Sequence, residues 1–236
     1  KSMEKNEDQK QLSSEKQESK QLVVSAKLAV QSAETIADTV KLLGWTLTTN
    51  YGKEDVIFNP GPDEYEDYYE MLTTRPELSY SRIPHMTEVA WKNELGFLIN
   101  FMKASYPEDY NFVTRTFIMP QEEDGLKRAM AENSKVTWIC KPSTLFGGSQ
   151  IELVNEFSEL SDQILKENFI AQEYIAHPYL ISERKFDLRV YVVLFGAEPM
   201  TAYFYNEAIG RFCTVSYQEP TNENKKISYM HLTNYC

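Results

Sequence analysis

The chain has 236 residues, and its 24 basic and 35 acidic side chains give a formal net charge of −11. Hydrophobic residues make up 42% of the sequence and charged residues 25%, which are values of a globular protein and exclude wholesale disorder. The acidic balance argues against a general nucleic-acid binder, because affinity for phosphate backbones requires a cationic surface.

The cysteines and the hydropathy pattern bear on the cellular compartment. Three cysteines are scattered without Cys-x-x-Cys spacing, so the sequence predicts neither a disulfide framework nor a zinc site. The longest apolar run is too short to cross a bilayer, and no cleavable signal pattern is present. We therefore expect a reducing cytosolic compartment and no membrane partner. Because the sequence begins with lysine, we also expect it to be part of a longer protein.

The first 43 residues contain neither glycine nor proline, and apolar side chains in their second half recur at steps of four and three. Such an a/d repeat predicts one long helix that ends at Gly44. Two interpretations stay open: a helix lying on its own domain, or a coiled-coil-like arm that binds a partner protein. The repeat consists of Leu22, Ala26, Ala29, Ala33, Ile36, Val40 and Leu43.

The remaining sequence predicts an α+β fold. Residues 51–70 read as an acidic, tyrosine-rich loop, and residues 87–105 as a helix. Beyond them, short apolar runs bounded by turn residues predict antiparallel strands with packed helices. The strands are predicted at residues 115–119, 136–140, 151–154, 169–175, 185–195, 201–205 and 212–217, and the helices at 121–133 and 160–167.

The predicted strand over residues 185–195 carries charges on one face. Side chains alternate along a strand, so Lys185, Asp187 and Arg189 lie on the same side. Two interpretations are open: a solvent-exposed ladder of ion pairs, or a polar cleft for a phosphorylated or carboxylated ligand. The opposite face is apolar and predicts a core face, formed by Phe186, Leu188, Val190, Val192 and Leu194.

A second candidate for phosphate binding lies where the strand over residues 136–140 ends. Lys141 follows this strand, and a loop containing Gly147 and Gly148 comes next. Glycines let backbone amides approach phosphate oxygens, and a lysine above them supplies charge. The loop matches neither the P-loop nor the dinucleotide-binding pattern. The three histidines are far apart in sequence, so neither a catalytic triad nor a zinc centre is predicted.

Six short motifs occur in the second half of the sequence in a fixed order and spacing. They are Trp138-Ile-Cys-Lys-Pro142, Gln172-Glu-Tyr-Ile175, Pro178-Tyr-Leu-Ile181, Lys185-Phe-Asp-Leu-Arg189, Arg211-Phe212 and His231-Leu-Thr-Asn-Tyr235. Together they resemble the tubulin–tyrosine ligase-like family, and the last motif resembles the glutamate-adding branch of that family. The resemblance covers roughly residues 45–236.

The resemblance implies an ATP-grasp fold, in which two α+β lobes clamp ATP between antiparallel sheets. With the helical arm in front, four segments are expected. These are the arm over residues 1–43, an N-terminal lobe over 44–134, a central lobe over 135–175 and the start of a C-terminal lobe over 176–236.

The resemblance also implies a reaction, in which ATP phosphorylates a glutamate carboxylate of a tubulin tail and the amine of an incoming glutamate attacks the acyl phosphate. ATP and Mg²⁺ are the expected cofactors, with the magnesium ligands beyond residue 236. Tubulin or microtubules are the expected partner. The expected location is the cytoplasm and cytoskeleton, in a cilium or axoneme.

Site residues follow from the same resemblance. Arg189 and Arg211 would orient the carboxylates of the substrate and so serve catalysis. The nucleotide would be bound by Lys92, Lys141, Gln172, Glu173, Tyr174, Ile175, Lys185, Asp187, Thr233 and Asn234.

Two features depart from the family pattern. The family loop has glycine, then arginine or lysine, then glycine, where this chain has Gly148, Ser149 and Gln150. A net charge of −11 is also poorly suited to acidic tubulin tails. An alternative is therefore a catalytically inactive, ligase-like structural protein of a ciliary or microtubule assembly. A ligase acting on a carboxylate outside tubulin is a third interpretation.

Overall fold

The computed structural model describes residues 21–26, 32–50, 52–58, 65–83, 86–145, 147–196 and 198–233. The chain divides into two units, Lys1–Pro84 and His85–Cys236. The four-segment division expected from the sequence stays a prediction. No helix in the described ranges has the length and apolarity needed to cross a membrane.

The first unit contains a parallel sheet in the order β2–β1–β3–β4. One helix lies between β1 and β2 in sequence and another between β3 and β4, as crossovers between parallel strands require. The strands are β1 (Val23–Ser25), β2 (Thr46–Thr48), β3 (Val56–Ile57) and β4 (Ser79–Tyr80), and the helices are α1 (Ala33–Leu42) and α2 (Tyr65–Thr74).

The prediction of one continuous N-terminal helix is wrong at β1. This segment pairs with a strand on each side, the Val24 side chain is fully buried, and the backbone N–H of Val23 donates to Oδ2 of Asp55 at 2.9 Å. The a/d repeat includes Leu22 but not Val23 and Val24, and the β-branched side chains of these two valines favour extended backbone. Ala29 lies outside the described residues. Because β1 is central to its own sheet, the coiled-coil-like docking arm is not supported.

The end of the predicted helix is confirmed. The helix α1 ends at Leu42, and Gly44 adopts a left-handed φ of 70°. Its backbone N–H donates to the Lys41 carbonyl at 3.1 Å, which closes the last turn. Val40 is buried on the inner side of the helix, and α1 packs against β2.

The predicted acidic loop over residues 51–70 is helical from Tyr65, where α2 begins. Before it, Glu54 is buried and forms an ion pair with Arg75, Nη1 to Oε1 at 2.9 Å. Burial alone would raise the pKa of this carboxyl, but backbone hydrogen bonds and Arg75 lower it further than burial raises it. The pair ties the chain before β3 to the segment after α2.

The second unit is built around an antiparallel sheet in the order β5–β8–β6–β7, with α5 and α6 on one face. Trp138 and Cys140 point into the core under these helices, so the alternating Lys141 lies on the opposite face. The strands are β5 (Thr116–Met119), β6 (Trp138–Pro142), β7 (Glu152–Val154) and β8 (Phe169–Glu173), and the helices are α5 (Glu123–Glu132) and α6 (Asp162–Lys166). These elements agree with the sequence prediction to within a few residues.

Other parts of the second unit differ from prediction. The helix expected over residues 87–105 is two helices, α3 (Met86–Val89) and α4 (Lys92–Ser105), separated by extended backbone at Trp91. The strand expected over residues 212–217 is β13 (Ile209–Phe212), with Gly210 inside it. A short helix, α7 (Ser228–His231), precedes the end of the described chain.

The strand predicted over residues 185–195 is also two strands, β10 (Arg184–Arg189) and β11 (Val192–Phe195). β10 lies between β9 (Leu180–Ile181) and β13, whereas β11 pairs with β12 (Thr201–Phe204). The apolar side is not a core face within the described residues, since Leu188 is 59% and Val192 56% exposed. The prediction of a single apolar face required one continuous strand. The strand is interrupted at residues 190–191, so β10 and β11 do not share a face.

Replacing Val24 tests whether β1 is central to its sheet. Val24→Asp places a carboxylate where the side chain is fully buried, so we expect the first unit to lose at least about 2 kcal/mol of stability. Amide hydrogen exchange measures this loss as faster exchange across β1, β2 and β3.

The matched control is Leu42→Asp, because Leu42 is 86% exposed at the end of α1. A helical arm would turn Val24 away from its a/d seam and make both variants equally harmless. Equal protection in the two variants would therefore contradict the strand.

Candidate functional site

A cavity of about 420 Å³ in the second unit is lined by four cationic side chains from four elements. The resemblance to a ligase family selected the same four, and no acidic residue lines the cavity within the described chain. The lining consists of Lys92 (α4), Lys141 (β6), Arg189 (β10) and Arg211 (β13), together with Pro142, Leu145, Gly147, Gly148, Ser149 and Ile151.

Lys92 is fixed by backbone carbonyls. Its Nζ donates to the carbonyl of Pro142 at 3.0 Å and to that of Leu145 at 2.7 Å. Pro142 is the last residue of β6 and Leu145 lies in the loop after it, so the lysine joins the end of the strand to the start of the glycine loop. Its pKa is lowered by burial. Because both carbonyl acceptors are neutral, they do not compensate the positive charge of Lys92.

Lys141 is the most enclosed of the four cations. Its Nζ donates to Oε1 of Gln172 at 2.8 Å, and the Gln172 amide donates to Oγ1 of Thr116 at 3.0 Å. Burial lowers the pKa of Lys141, and the nearby charge of Lys92 lowers it further. The strands β5, β8 and β6 therefore position one cation through a chain of neutral groups.

The loop beside these lysines needs left-handed backbone. Gly147 and Gly148 have φ of 72° and 78°, and Gln150 has φ of 54°. Glycine adopts this conformation without penalty, whereas a side chain costs about 1–2 kcal/mol there. Gln150, which stands where the family has glycine, accepts a hydrogen bond from Gln163 at 3.2 Å.

Asp187 is the anionic member of the β10 row and is paired across the sheet. Opposite it on β13, Arg211 donates from Nε to Oδ1 at 2.7 Å and from Nη2 to Oδ2 at 2.6 Å. Thr233 donates to Oδ2 at 2.5 Å. Partial burial alone would raise the pKa of Asp187, but these hydrogen bonds hold it below its ordinary value.

Lys185 lies two residues earlier on β10 and is held differently. Its Nζ donates to the Tyr174 hydroxyl and to the His231 carbonyl, each at 2.9 Å. Burial lowers the pKa of Lys185 to about 8, and the charge of Lys141 contributes in the same direction. Lys185 and Asp187 are thus partly buried and tied to three other segments, whereas Arg189, the third member of the charged row, is exposed.

The remaining predicted residues lie apart from this cavity or outside the described chain. Glu173 forms an ion pair with Arg115 at 3.2 Å, and Ile175 is 58% exposed. Neither lines the cavity. Asn234 lies outside the described residues. The roles assigned to these residues by resemblance stay predictions.

Sequence reasoning missed His231 as a site residue. The three histidines were dismissed because they are far apart in sequence, yet His231 is 1% exposed and its carbonyl binds Lys185. Its partner Tyr174 is 57 positions away, so no local pattern links the two. The signal available was its position in the last of the six motifs.

A second cavity, of about 520 Å³, adjoins the first and shares Ile151 with it. Leu153, Val154 and Leu232 give it an apolar wall. At its edge the buried Lys225 donates to Glu159 at 2.6 Å. The rest of its lining is polar and carries both signs of charge, from Glu152, Glu159, Lys225 and Lys226, so the second cavity differs from the first in holding carboxylates beside its cations.

The site as a whole suits a polyanion. Three lysines raise one another's electrostatic energy, so a bound anion would stabilise all of them. The described residues contain no group of three metal-ligating side chains. The chemistry this arrangement supports is the binding and charge neutralisation of phosphoryl or carboxylate groups.

Sequence comparison identifies related proteins. A model of the tubulin-tyrosine ligase family matches residues 73–236. Human tubulin polyglutamylase TTLL11 is 36% identical over 163 residues, 66% of this chain and 23% of that protein. Human tubulin polyglutamylase TTLL6 is 34% identical over 175 residues, 72% of this chain and 19% of that protein. The chain therefore spans about a fifth of the length of these curated relatives.

Structural comparison identifies a fold. The C-terminal domain of K. lactis Pby1, an ATP-grasp enzyme that interacts with the mRNA decapping enzyme Dcp2, aligns with a TM-score of 0.54. The two are 17% identical, and the match covers 88% of this chain and 64% of that one. At this identity the likeness concerns the fold alone, and it confirms the α+β ATP-grasp fold predicted from the sequence.

The pKa of Lys185 predicts how anion binding depends on pH. Below pH 8 the ammonium is charged; above it, the free protein loses this proton, which a bound polyanion must restore. We expect ATP affinity to fall by up to about tenfold per pH unit above pH 8. Calorimetry at pH 7, 8 and 9, in buffers of different ionisation enthalpy, measures both the affinity and the proton uptake.

Lys185→Met is the comparison variant. It should bind ATP more weakly at pH 7 and show a shallower fall above pH 8. An affinity of the unmodified chain that stays constant from pH 7 to 9, without proton uptake, would show that the buried lysines do not contact the anion.

Proposed function

The chain belongs to the tubulin-tyrosine ligase family, and from this premise we propose that it is the ATP-binding part of a ligase that adds glutamate to glutamate side chains of tubulin. The observation that carries the proposal is the cavity lined by Lys92, Lys141, Arg189 and Arg211, with Lys185 near enough to Lys141 for the two charges to interact. The names of the relatives, tubulin polyglutamylases, supply the substrate.

ATP is the proposed polyanion. Lys92, Lys141 and Lys185 neutralise its phosphates, and the amides of the glycine loop approach phosphate oxygens where no side chain intervenes. The adjoining cavity, with its apolar wall of Leu153 and Leu232, suits the adenosine. Gln172 to Ile175 form the proposed hinge beside the base.

Magnesium accompanies ATP in such reactions and would neutralise charge on its phosphates. Asp187 is a carboxylate near the proposed phosphate site, but Arg211 and Thr233 already bind its oxygens. We place the magnesium ligands in sequence beyond residue 236, in keeping with the greater length of the relatives.

The proposed reaction has two steps. A carboxylate oxygen of the acceptor glutamate attacks the γ-phosphorus of ATP, and the bond from that phosphorus to the bridging oxygen breaks, giving an acyl phosphate and ADP. The amine of free glutamate then attacks the acyl carbon; the C–N bond forms, the C–O bond to phosphate breaks, and the amine proton passes to phosphate or solvent. Arg189 and Arg211 orient the carboxylates.

Tubulin or microtubules are the proposed partner, and a cytoskeletal location, including the cilium or axoneme, follows from that partner. Tubulin tails carry the acceptor carboxylates, and a cationic cavity receives them although the whole chain is acidic. The cavity would act at contact distance, since charges further apart are screened within about 10 Å.

One observation favours the alternative, a ligase-like protein with a structural role. The loop next to Lys141 has Ser149 and Gln150 in place of a cation and a glycine. Loss of one charge from a phosphate site reduces turnover by roughly ten- to a thousandfold. Such a protein would bind ATP and turn over slowly or not at all.

Lys141→Ala tests the phosphate site. We expect Mg-ATP to bind the variant at least about tenfold more weakly, because an enclosed cation is removed from the phosphates. Calorimetry on the whole chain measures this ratio.

Lys166→Ala is its matched control. Lys166 belongs to the same unit, is 71% exposed and pairs with Asp162 on the surface of α6. Unchanged affinity in both variants would exclude Lys141 from the site, and absence of any nucleotide heat in the native protein would remove the enzyme proposal.

Substitutions at Ser149 and Gln150 of the glycine loop distinguish the ligase from the structural alternative. In the native protein that contains this chain, ATP-dependent incorporation of labelled glutamate into tubulin measures ligation. Ser149→Arg combined with Gln150→Gly supplies the missing charge and removes a left-handed side chain, so we expect turnover to rise about tenfold or more.

Gln150→Gly alone is the control for the backbone effect, and it should stabilise the loop without the rate gain. ATP binding with no ligation in any variant would establish the structural alternative. An active native protein whose rate is the same with both substitutions would show that another cation serves the γ-phosphate.

A further inference from the structure

Two side chains far from one another in sequence hold the ammonium group of Lys185. Tyr174 follows β8 and accepts a hydrogen bond from Nζ at 2.9 Å, while the Nζ atom also lies 4.2 Å from the centre of the tyrosine ring. The carbonyl of His231, at the end of α7, is the second acceptor. The position of this lysine on β10 therefore depends on three separate segments.

The chemistry of the donors fixes the direction of these hydrogen bonds. An ammonium group only donates, so the oxygen of Tyr174 accepts from Lys185. The hydroxyl proton of Tyr174 is then available to Nδ1 of His231, 3.1 Å away, and the Tyr217 hydroxyl is a second acceptor for the same proton. Burial and the charge of Lys185 both lower the pKa of His231, which keeps the imidazole neutral.

The segment that carries His231 also binds the next charged residue of the same strand. The carbonyl of residue 231 accepts from Lys185, and Oγ1 of Thr233 donates to Asp187. Residues 231 and 233 thus contact residues 185 and 187, respectively, on one face of β10. These two hydrogen bonds hold the side chains of Lys185 and Asp187 in place.

We propose that Tyr174 and His231 are positioning residues for Lys185, through the hydrogen-bonded sequence from its ammonium to the Tyr174 hydroxyl and on to Nδ1 of His231. The inference rests on the proposed function, in which Lys185 binds a phosphate of ATP. Two of the three ammonium protons go to these acceptors, which leaves the third for an anionic ligand.

Other titratable groups act on the same lysine. The charge of Lys141 on β6 disfavours the ammonium form, whereas Asp187 on β10 and Cys213 after β13 favour it. Tyr217 contacts the His231 ring edge-on at a centroid distance of 5.8 Å, and its hydroxyl donates to the Ala176 carbonyl at 2.6 Å.

A double-mutant cycle separates positioning from a purely structural role. Tyr174→Phe removes the hydroxyl and keeps the ring, so we expect ATP affinity to fall about tenfold in the otherwise unmodified chain. In the Lys185→Met background the same change should have less than about a twofold effect, because no ammonium remains to be placed.

His231 is tested in parallel with a conservative variant. His231→Leu removes the acceptor and should lower ATP affinity as Tyr174→Phe does. His231→Asn places an amide oxygen near the position of Nδ1, so it should restore most of the affinity. Tyr179→Phe is the aromatic control, since Tyr179 is 80% exposed and its ring contacts Phe186, and the ATP affinity of this variant should stay within about twofold.

The pH profile gives a second readout that reduced stability would not produce. Without the Tyr174 hydroxyl the ammonium loses an acceptor, so the alkaline fall in affinity should begin about half a unit to one unit lower in Tyr174→Phe. A thermal midpoint for each variant verifies that it is folded at the temperature of measurement.

The outcomes are distinguishable. An equal effect of Tyr174→Phe in both backgrounds, or no effect in either, would overturn the positioning role while the ATP site stands. If Lys141→Ala and Lys185→Met both leave ATP affinity unchanged, the proposed function itself fails, and the positioning role fails with it.

Discussion

The burial of three lysines against neutral hydrogen-bond acceptors is the constraint on which the candidate site of the second unit depends. Burial lowers the pKa of Lys92, Lys141 and Lys185, and the charge of each lysine disfavours the charge of the next. The protein holds them with neutral acceptors, namely main-chain carbonyls, an amide oxygen and a hydroxyl. These acceptors fix the positions without cancelling the charges. The like charges thus remain available to a ligand, whose binding relieves the repulsion.

The arginines of the same cavity follow a different rule. Arg211 is compensated by the Asp187 carboxylate in a two-point pair, and Thr233 holds that carboxylate in turn. A planar guanidinium fixed in this manner has a defined orientation, which suits a planar carboxylate better than a phosphate that must be released. The compensated guanidinium of Arg211 thus differs from the lysine ammonium groups, which neutral acceptors hold. This difference agrees with a reaction in which one substrate is a triphosphate and the others are carboxylates.

Strand register determined much of what the sequence could predict. In β6, Trp138 and Cys140 are core residues, so alternation alone places Lys141 on the other face, and a shift of one residue would bury the lysine under α5. The sheet and its helices followed from such local patterns, as did the shared face of Lys185 and Asp187 on β10, whereas the core face expected on the opposite side of that strand did not.

Patterns that fit two structures, or that involve distant partners, were not predictable. Leu22 and Ala26 match a helical repeat, yet Val23 and Val24 between them gain more from a central strand, and only pairing with β2 and β3 decides the matter. The role of His231 depends on Tyr174, and hydrogen bonds across such sequence distances leave no local periodicity. The break between β10 and β11 left no signal either, since neither glycine nor proline stands at residues 190–191, and the Val190 and Tyr191 found there favour extended backbone.

The contrast between an acidic chain and a cationic cavity constrains how a polyanion reaches the site. At distances beyond the Debye length of about 8–10 Å, the ligand responds to screened net charge, and a chain carrying −11 does not attract it. Within the cavity the four lining cations act through a medium of lower dielectric constant, where the same charges interact more strongly. Added salt screens the long-range repulsion by the net charge more than the short-range attraction by the cavity, because enclosed charges are less accessible to ions. The net charge therefore limits the approach of acidic partners in general, whereas the cavity offers them cationic side chains at contact distance. In the proposed phosphate site, binding depends on the positions of Lys141 and Lys185 rather than on overall charge, which is why the groups that hold these two lysines matter as much as the lysines themselves.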